Sequence, residues 1–254
     1  MPYSNPQALV STDWVAEHMS APDVHIVDCT YYLPNDGRKG SEEYAKQHLE
    51  GAVFFDIDDV KDPDNPLPHM VPQAEVFSSK VRKLGLGDGT RIICYDHNGG
   101  GMAAARVWWM FRLFGHEDVA VMDGGLPKWL AENRPVTDEV PQPQERHFTP
   151  RENHFLLRSI DQVRADLDSG RETIVDVRAA GRFAGTSPEP REGMRSGHMP
   201  GALSLPYGDL MNPEKNCVMR SAEEIQTLVD KSGIDLKHPL VTSCGSGVTA
   251  CYAA

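Results

Sequence analysis

The chain has 254 residues, of which 40% are hydrophobic and 24% charged, proportions typical of a soluble globular protein. Its 25 basic and 37 acidic residues give a formal net charge of −12, which argues against a nucleic-acid or membrane-surface partner, because both bind basic surfaces. The chain shows no secretory signal and no apolar run of about 18 residues, and its five cysteines form no CxxC motif. The sequence therefore predicts a cytoplasmic protein without disulfides, metal or cofactor.

The first half of the chain alternates predicted helices with short apolar strands. Ser11 is a good helix cap, and the acidic Glu42 and Glu43 favour the first turn of a second helix. The predicted strands are Val24–Asp28, 52–55, 92–95 and Val119–Met122. The predicted helices are 12–18, 41–48, 74–84, 102–113 and 126–133. This alternation predicts a mainly parallel sheet with helices on both faces.

The second half of the chain repeats the first at a nearly constant spacing. Ile-Val-Asp at 26–28 returns 148 residues later at 174–176, and His-x-x-Gly-Ala at 48–52 returns 150 residues later at 198–202. The apolar segment 91–96 aligns in the same way with 239–244. Matches in the same order at one spacing predict two homologous domains.

The repeat predicts the domain boundaries. We expect an α/β domain at 1–135 and a second at 156–254, joined by a linker at 136–155 that contains several prolines. In the first domain a strand and a tryptophan-bearing helix follow the central loop, whereas the second domain has no counterpart before Ala254. We therefore expect the second domain to be incomplete at its C-terminal end, either because the sequence is cropped or because the protein is truncated. A truncated protein would have an exposed sheet edge.

One loop of the second domain carries a candidate nucleophile. The predicted strand 239–243 leads directly into Cys244, which begins the sequence Cys-Gly-Ser-Gly-Val-Thr. Gly245 and Gly247 permit backbone angles that turn amide groups inward, and a helix after them would add partial positive charge. Both effects favour a thiolate over a thiol, although a small buried cysteine in a glycine-rich turn is the alternative. The first domain has Asp96 at the matching position, so it is predicted to be a non-catalytic copy.

Four motifs resemble those of the two-domain rhodanese-like sulfurtransferases. They are Cys-Gly-Ser-Gly-Val-Thr-Ala at 244–250, Arg-Phe-Ala-Gly-Thr-Ser-Pro-Glu-Pro-Arg at 182–191, Gly-His-Met-Pro-Gly-Ala at 197–202, and the segment 106–116. The cysteine loop is similar to that of the branch acting on 3-mercaptopyruvate. The branch acting on thiosulfate carries basic residues directly after the cysteine, where this chain has Gly245 and Ser246.

The resemblance implies a reaction and a set of site residues. Cys244 would take sulfur from 3-mercaptopyruvate as a persulfide, release pyruvate, and pass the sulfur to cyanide or to a thiol such as that of thioredoxin. The implied catalytic residues are Cys244, Ser246, His69 and Asp58. The implied substrate-binding residues are Arg182, Arg191, Gly245, Gly247, Val248 and Thr249.

Other interpretations stay open from the sequence. His69 could be a solvated loop residue, and the two arginines could pair on the surface with Glu189 or Glu192. The chain could instead be a thiosulfate sulfurtransferase or a non-catalytic rhodanese-like binding module. A phosphatase of related loop chemistry is disfavoured, because it needs arginine six residues after the cysteine and this chain has Ala250 there.

Overall fold

The first domain is built on one five-stranded sheet. The computed structural model describes residues 2–191 and 193–254. The strands of the first domain are β1 (Leu9–Val10), β2 (Val24–Asp28), β3 (Val53–Phe54), β4 (Arg91–Tyr95) and β5 (Val119–Met122). All neighbours are parallel, in the order β1-β5-β4-β2-β3. The helices are α1 (Thr12–His18), α2 (Gly40–Lys46), α3 (Ala74–Lys83), α4 (Ala103–Leu113) and α5 (Gly125–Ala131).

The second domain contains a smaller parallel sheet and one hairpin. Its helices are α6 (Ile160–Ser169), α7 (Ala180–Phe183) and α8 (Ala222–Lys231). Its strands are β6 (Thr173–Asp176), β7 (Leu203–Ser204), β8 (Met211–Asn212), β9 (Val218–Met219) and β10 (Leu240–Ser243). The parallel order is β10-β6-β7, while β8 and β9 pair antiparallel. No helix of the described residues is long and apolar enough to span a membrane.

The two sheets confirm the tandem α/β fold. The order β10-β6-β7 reproduces the order β4-β2-β3 of the first domain, as the sequence repeat predicts. Parallel strands place their carboxyl ends at one edge, so Cys244 after β10 and Asp96 after β4 occupy matching positions. Within the described residues β10 pairs only with β6, whereas β4 pairs with both β2 and β5.

Several predicted elements are shorter or of a different kind in the structure. The predicted helix 41–48 ends at Lys46. The predicted strand 52–55 pairs only over Val53–Phe54. The predicted helix 126–133 ends at Ala131, and Asn133 takes a left-handed backbone conformation. The helix predicted behind Cys244 is a 3₁₀ helix, Thr249–Ala253. It contributes individual N–H groups near the sulfur rather than the dipole of a full α-helix.

Helix α4 lies at the junction of the two domains. Every residue of α4 except Arg112 is buried, and the helix packs against the 3₁₀ helix Thr249–Ala253. One hydrophobic cluster includes α4 together with Val175 and Tyr252 of the second domain. The two domains therefore share a continuous core, and a site at their junction is held by packing from both sides.

The connecting segment runs along the first domain. Thr137 exchanges backbone hydrogen bonds with His48, and the Arg151 N–H donates to the carbonyl oxygen of Phe114 at 2.8 Å. Phe148 is buried against α3 and α4. The segment is therefore fixed to the first domain over most of its length.

Candidate active site

The Cys244 sulfur is surrounded by hydrogen-bond donors from its own loop. Burial favours the neutral thiol, but the Thr249 hydroxyl and the N–H groups of Ser246, Ala250 and Gly247 donate to the sulfur, and together they lower the pKa of Cys244 below its ordinary value. Gly247 supports this arrangement with a φ of 71°, a conformation that favours glycine. The loop thus stabilises a sulfur anion, as the glycine spacing predicts.

The matching loop of the first domain holds an anion of another kind. The Asp96 carboxylate accepts hydrogen bonds from the N–H groups of Asn98 at 2.8 Å, Gly100 at 2.7 Å and Ala104 at 3.1 Å. Burial raises the pKa of Asp96, and these three donors oppose that rise. Both domains therefore use the loop after the matching strand, β4 or β10, as an anion cradle, and only the second has a cysteine in it.

Two arginines predicted for substrate binding meet at the mouth of the Cys244 loop. A Cβ atom placed on Gly245 would lie 3.0 Å from Arg182 Nη2 and 3.8 Å from Arg191 Nη1. Glycine at this position therefore lets both guanidinium groups approach the loop backbone. A carboxylate bound here would be within reach of two cations beside the sulfur.

Arg182 also has a buried acidic partner. Glu189 accepts hydrogen bonds from Arg182 Nε at 3.1 Å and Nη2 at 2.5 Å, and its side chain is only 3% exposed. The ion-pair alternative is therefore correct for Arg182, but the pair lies inside the site and orients the guanidinium toward Gly245. Among the described residues Arg191 forms no ion pair, and Glu192 lies outside them.

Sequence reasoning missed a third arginine. Arg178 donates to Asp176 through Nε and Nη2, to Glu189 through Nη1 at 2.8 Å, and to the carbonyl oxygen of Gly197 at 2.7 Å. Hydrogen bonds from its guanidinium to Asp176 raise the pKa of Arg178, and the Cys244 charge contributes to the rise. The signal available in the sequence was an arginine two residues beyond the strand end, which is too common to single out.

His69 and Asp58 form the pair that the resemblance implied. His69 Nε2 lies 3.1 Å from Asp58 Oδ1, with the His69 side chain 2% exposed and Asp58 half exposed. Burial lowers the pKa of His69, and Asp58 opposes the change, so the imidazole is neutral at pH 7. The solvated-loop alternative for His69 is therefore wrong. His69 Nδ1 is buried and has no hydrogen-bond partner within the described residues.

The link from His69 to Ser246 is not closed in this structure. Within residues 2–191 and 193–254 the Ser246 hydroxyl forms no hydrogen bond, while its N–H faces the Cys244 sulfur. Val248 is 3% exposed and packs into the shared core, so its side chain supports the loop from behind. The relay through Ser246 stays a prediction.

Cys244 lines a cleft that is open to solvent. The cleft has a volume of about 580 Å³ and is lined by the segment 195–200 together with Arg178 and Asp176. No group of three or more His, Cys, Asp or Glu side chains in the described part of the chain is arranged to hold a metal ion. The arrangement as a whole combines a stabilised thiolate, a pair of arginines beside its loop and a neutral imidazole.

Comparisons with known proteins agree with this architecture. Residues 11–132 match the model of the rhodanese-like domain. The human 3-mercaptopyruvate sulfurtransferase is 42% identical over 253 residues, covering 98% of this chain and 84% of the human protein. A mouse thiosulfate sulfurtransferase is 39% identical over 254 residues, covering 98% of this chain and 84% of the mouse protein. The crystal structure of SseA from Escherichia coli, described as a 3-mercaptopyruvate sulfotransferase, superposes with a TM-score of 0.88 at 33% identity, covering 96% of this chain and 91% of SseA. The chain therefore belongs to the family of two-domain rhodanese-like sulfurtransferases.

Proposed function

We propose that the chain moves the sulfur of 3-mercaptopyruvate through a persulfide on Cys244 to a thiol or cyanide acceptor and releases pyruvate. The observation that carries this proposal is the cradle of donors on the Cys244 sulfur with Arg182 and Arg191 beside it. The cradle favours a nucleophilic thiolate, and the arginines fit the carboxylate of a 2-keto acid.

The first half of the reaction forms the persulfide. The Cys244 thiolate attacks the sulfur of mercaptopyruvate, the bond between sulfur and the methylene carbon breaks, and its electron pair stays on carbon as the enolate of pyruvate. The proton of the substrate thiol is transferred to that carbon, which gives pyruvate and leaves the persulfide as an anion. Ser246, with His69 and Asp58 behind it, is proposed to carry this proton, since the neutral imidazole of His69 can both accept and return one.

The second half of the reaction restores the free enzyme. An acceptor thiolate or cyanide attacks the outer sulfur, and the Cys244 thiolate leaves. The same donors that stabilise the thiolate also stabilise the persulfide anion. Because the persulfide is a covalent intermediate between two half-reactions, we expect ping-pong kinetics. The solvent-open cleft beside Cys244 gives an acceptor thiol, such as that of thioredoxin, a route to the outer sulfur.

The substrate assignment rests on the residues that follow Cys244. Thiosulfate carries two negative charges, and the alternative branch of the family places basic residues directly after the cysteine to bind it. This chain has Gly245 and Ser246 there, which favours the singly charged carboxylate of mercaptopyruvate. The similarity to thiosulfate sulfurtransferases keeps thiosulfate as the second candidate.

The substrate test compares two assays on the same preparation. Pyruvate release from mercaptopyruvate is measured beside thiocyanate production from thiosulfate and cyanide. We expect kcat/KM for mercaptopyruvate to exceed that for thiosulfate. A tenfold or larger preference for thiosulfate would overturn the substrate assignment. If neither donor is used and Cys244 is alkylated no faster than a free thiol, the non-catalytic binding module becomes the better account.

The proposal also assigns a role to each half of the chain. Residues 1–135 would form the non-catalytic copy, 136–155 the connecting segment, and 156–254 the catalytic domain. The first domain would contribute His69 and Asp58 to a site whose nucleophile lies in the second.

We further propose a cytoplasmic location, where reduced thiols serve as acceptors. Fractionation of cells that express the tagged protein tests the location.

A further inference from the structure

Arg106 connects the two halves of the site through their backbones. Its Nη1 donates to the carbonyl oxygen of Gly247 at 3.0 Å, and its Nη2 donates to the carbonyl oxygen of His69 at 2.8 Å. Gly247 belongs to the Cys244 loop of the second domain, and His69 belongs to the first. We propose that Arg106 is a positioning residue that fixes the imidazole of His69 relative to the Cys244 sulfur. This inference rests on the proposed sulfur-transfer function.

The placement of Arg106 suits a rigid bridge. It lies on α4, is only 4% exposed, and its guanidinium stacks over the ring of Trp109 with 4.7 Å between Cζ and the ring centroid. A planar fork with donors on both arms can hold two carbonyl oxygens at once. Packing against Trp109 prevents the side chain from taking other rotamers.

Both carbonyl groups belong to residues with a positive φ. Gly247 has a φ of 71°, which glycine adopts readily, and His69 has a φ of 56°, which is rare for a residue with a side chain. The conformation of His69 persists only where the surroundings impose it. Arg106 is the described side chain that touches both, so its two hydrogen bonds stabilise both conformations together.

The Gly247 carbonyl oxygen accepts a second hydrogen bond besides the one from Arg106. The Cys251 thiol donates to this oxygen at 3.2 Å, and burial raises the pKa of Cys251 to about 12, so the thiol keeps its proton. With its carbonyl held on the Arg106 side, Gly247 directs its own N–H toward Cys244. Arg106 therefore acts on the nucleophile indirectly, through the orientation of the loop amides.

The test uses two variants of Arg106 and one matched control variant. Arg106→Met removes the charge and the fork, whereas Arg106→Lys keeps the charge and loses the fork. Arg112→Met is the control, because Arg112 lies on the same helix and stacks on Trp108 at the same 4.7 Å. Each variant is checked by thermal unfolding, and then the pH dependence of Cys244 alkylation and the kinetics of pyruvate release are measured.

The expected result separates positioning from charge and from general stability. Both Arg106 variants should shift the midpoint of Cys244 alkylation upward by about one pH unit. They should also lower kcat by about 100-fold, as small misplacements of catalytic groups do. The KM for mercaptopyruvate should change less than about threefold, because Arg182 and Arg191 are untouched. Arg112→Met should leave the midpoint unchanged.

Three outcomes would overturn the role of Arg106. They are a wild-type midpoint in Arg106→Met, full recovery of kcat and midpoint in Arg106→Lys, and an equal shift in Arg112→Met. If Arg106→Met does not fold, the lysine variant decides alone. If the wild type turns over no mercaptopyruvate, the proposed function fails, but the alkylation midpoints still decide whether Arg106 orients the loop.

Discussion

Arg182 combines a structural ion pair with a position at the mouth of the Cys244 loop. Glu189 holds its guanidinium through two hydrogen bonds, and the same carboxylate also binds Arg178. A free arginine beside a nucleophile would lose side-chain entropy on binding substrate, whereas this one is already ordered. The buried carboxylate therefore prepares Arg182 for a substrate carboxylate.

Replacing Arg182 should weaken the reaction without unfolding the domain. Arg182→Ala removes one charge-assisted contact, worth about 1.5–3 kcal/mol, so kcat/KM for mercaptopyruvate should fall ~10–150-fold. The control is Arg158→Ala, which breaks a similar fork with Glu172 at the other end of β6. Steady-state pyruvate release measures both. An unchanged kcat/KM in Arg182→Ala would remove this residue from the site.

Part of the site was readable from the sequence, and part was not. The cradle around Cys244 followed from glycine spacing after a strand, which is a local property of the chain. Glu189 was considered only as a surface partner, because pairing across an irregular loop has no periodic signal. His69 is implied only by the family resemblance, since its burial depends on residues distant along the chain, such as Tyr31 and Arg106.

The two central loops are the elements that explain the different roles of the domains. Each follows a strand of a parallel sheet, β4 in the first domain and β10 in the second, and turns its N–H groups inward. In the first domain the Asp96 carboxylate fills this space permanently and accepts three hydrogen bonds. The element is thus structural in one copy, while in the other it stabilises a sulfur anion.

Removing the Asp96 carboxylate should therefore affect stability more than chemistry. Asp96→Ala leaves three N–H groups without their acceptor, and we expect the free energy of unfolding to drop by about 3 kcal/mol. Asp118→Ala is the control, because its carboxylate is 58% exposed and pairs with Arg91 at the surface, so the loss should stay below about 1 kcal/mol. Urea titration gives both values. Equal losses in the two variants would contradict the cradle.

The type of the helix after Cys244 is the feature of an element that the sequence did not predict. The segment after Cys244 had helical composition, but it forms the 3₁₀ helix Thr249–Ala253 wedged between α4 and β10. The alternating strand–helix pattern was otherwise sufficient, because buried apolar strands and capped helices are local signals. Contacts with another domain are not local, so the sequence pattern does not include the packing of this segment against α4.

At the scale of the whole molecule, the shared core predicts that the domains unfold together. All four tryptophans, Trp14, Trp108, Trp109 and Trp129, belong to the first domain, and Cys244 belongs to the second. Tryptophan fluorescence therefore reports the first half. Labelling of the Cys244 thiol reports the second when it is read peptide by peptide by mass spectrometry, because Cys29 and Cys94 lie in the first half. Because α4 packs against both, the two urea transitions should coincide. Midpoints that differ clearly, with the second domain opening first, would show that the domains are independent.

The account as a whole depends on the ionisation of one thiol. The difference in ultraviolet thiolate absorbance between the wild type and Cys244→Ser, followed against pH, reports that ionisation directly. Because the loop donors outweigh burial, we predict a midpoint below the value of about 8.5 for a free cysteine. A midpoint at or above that value would contradict the central claim that this loop holds a sulfur anion.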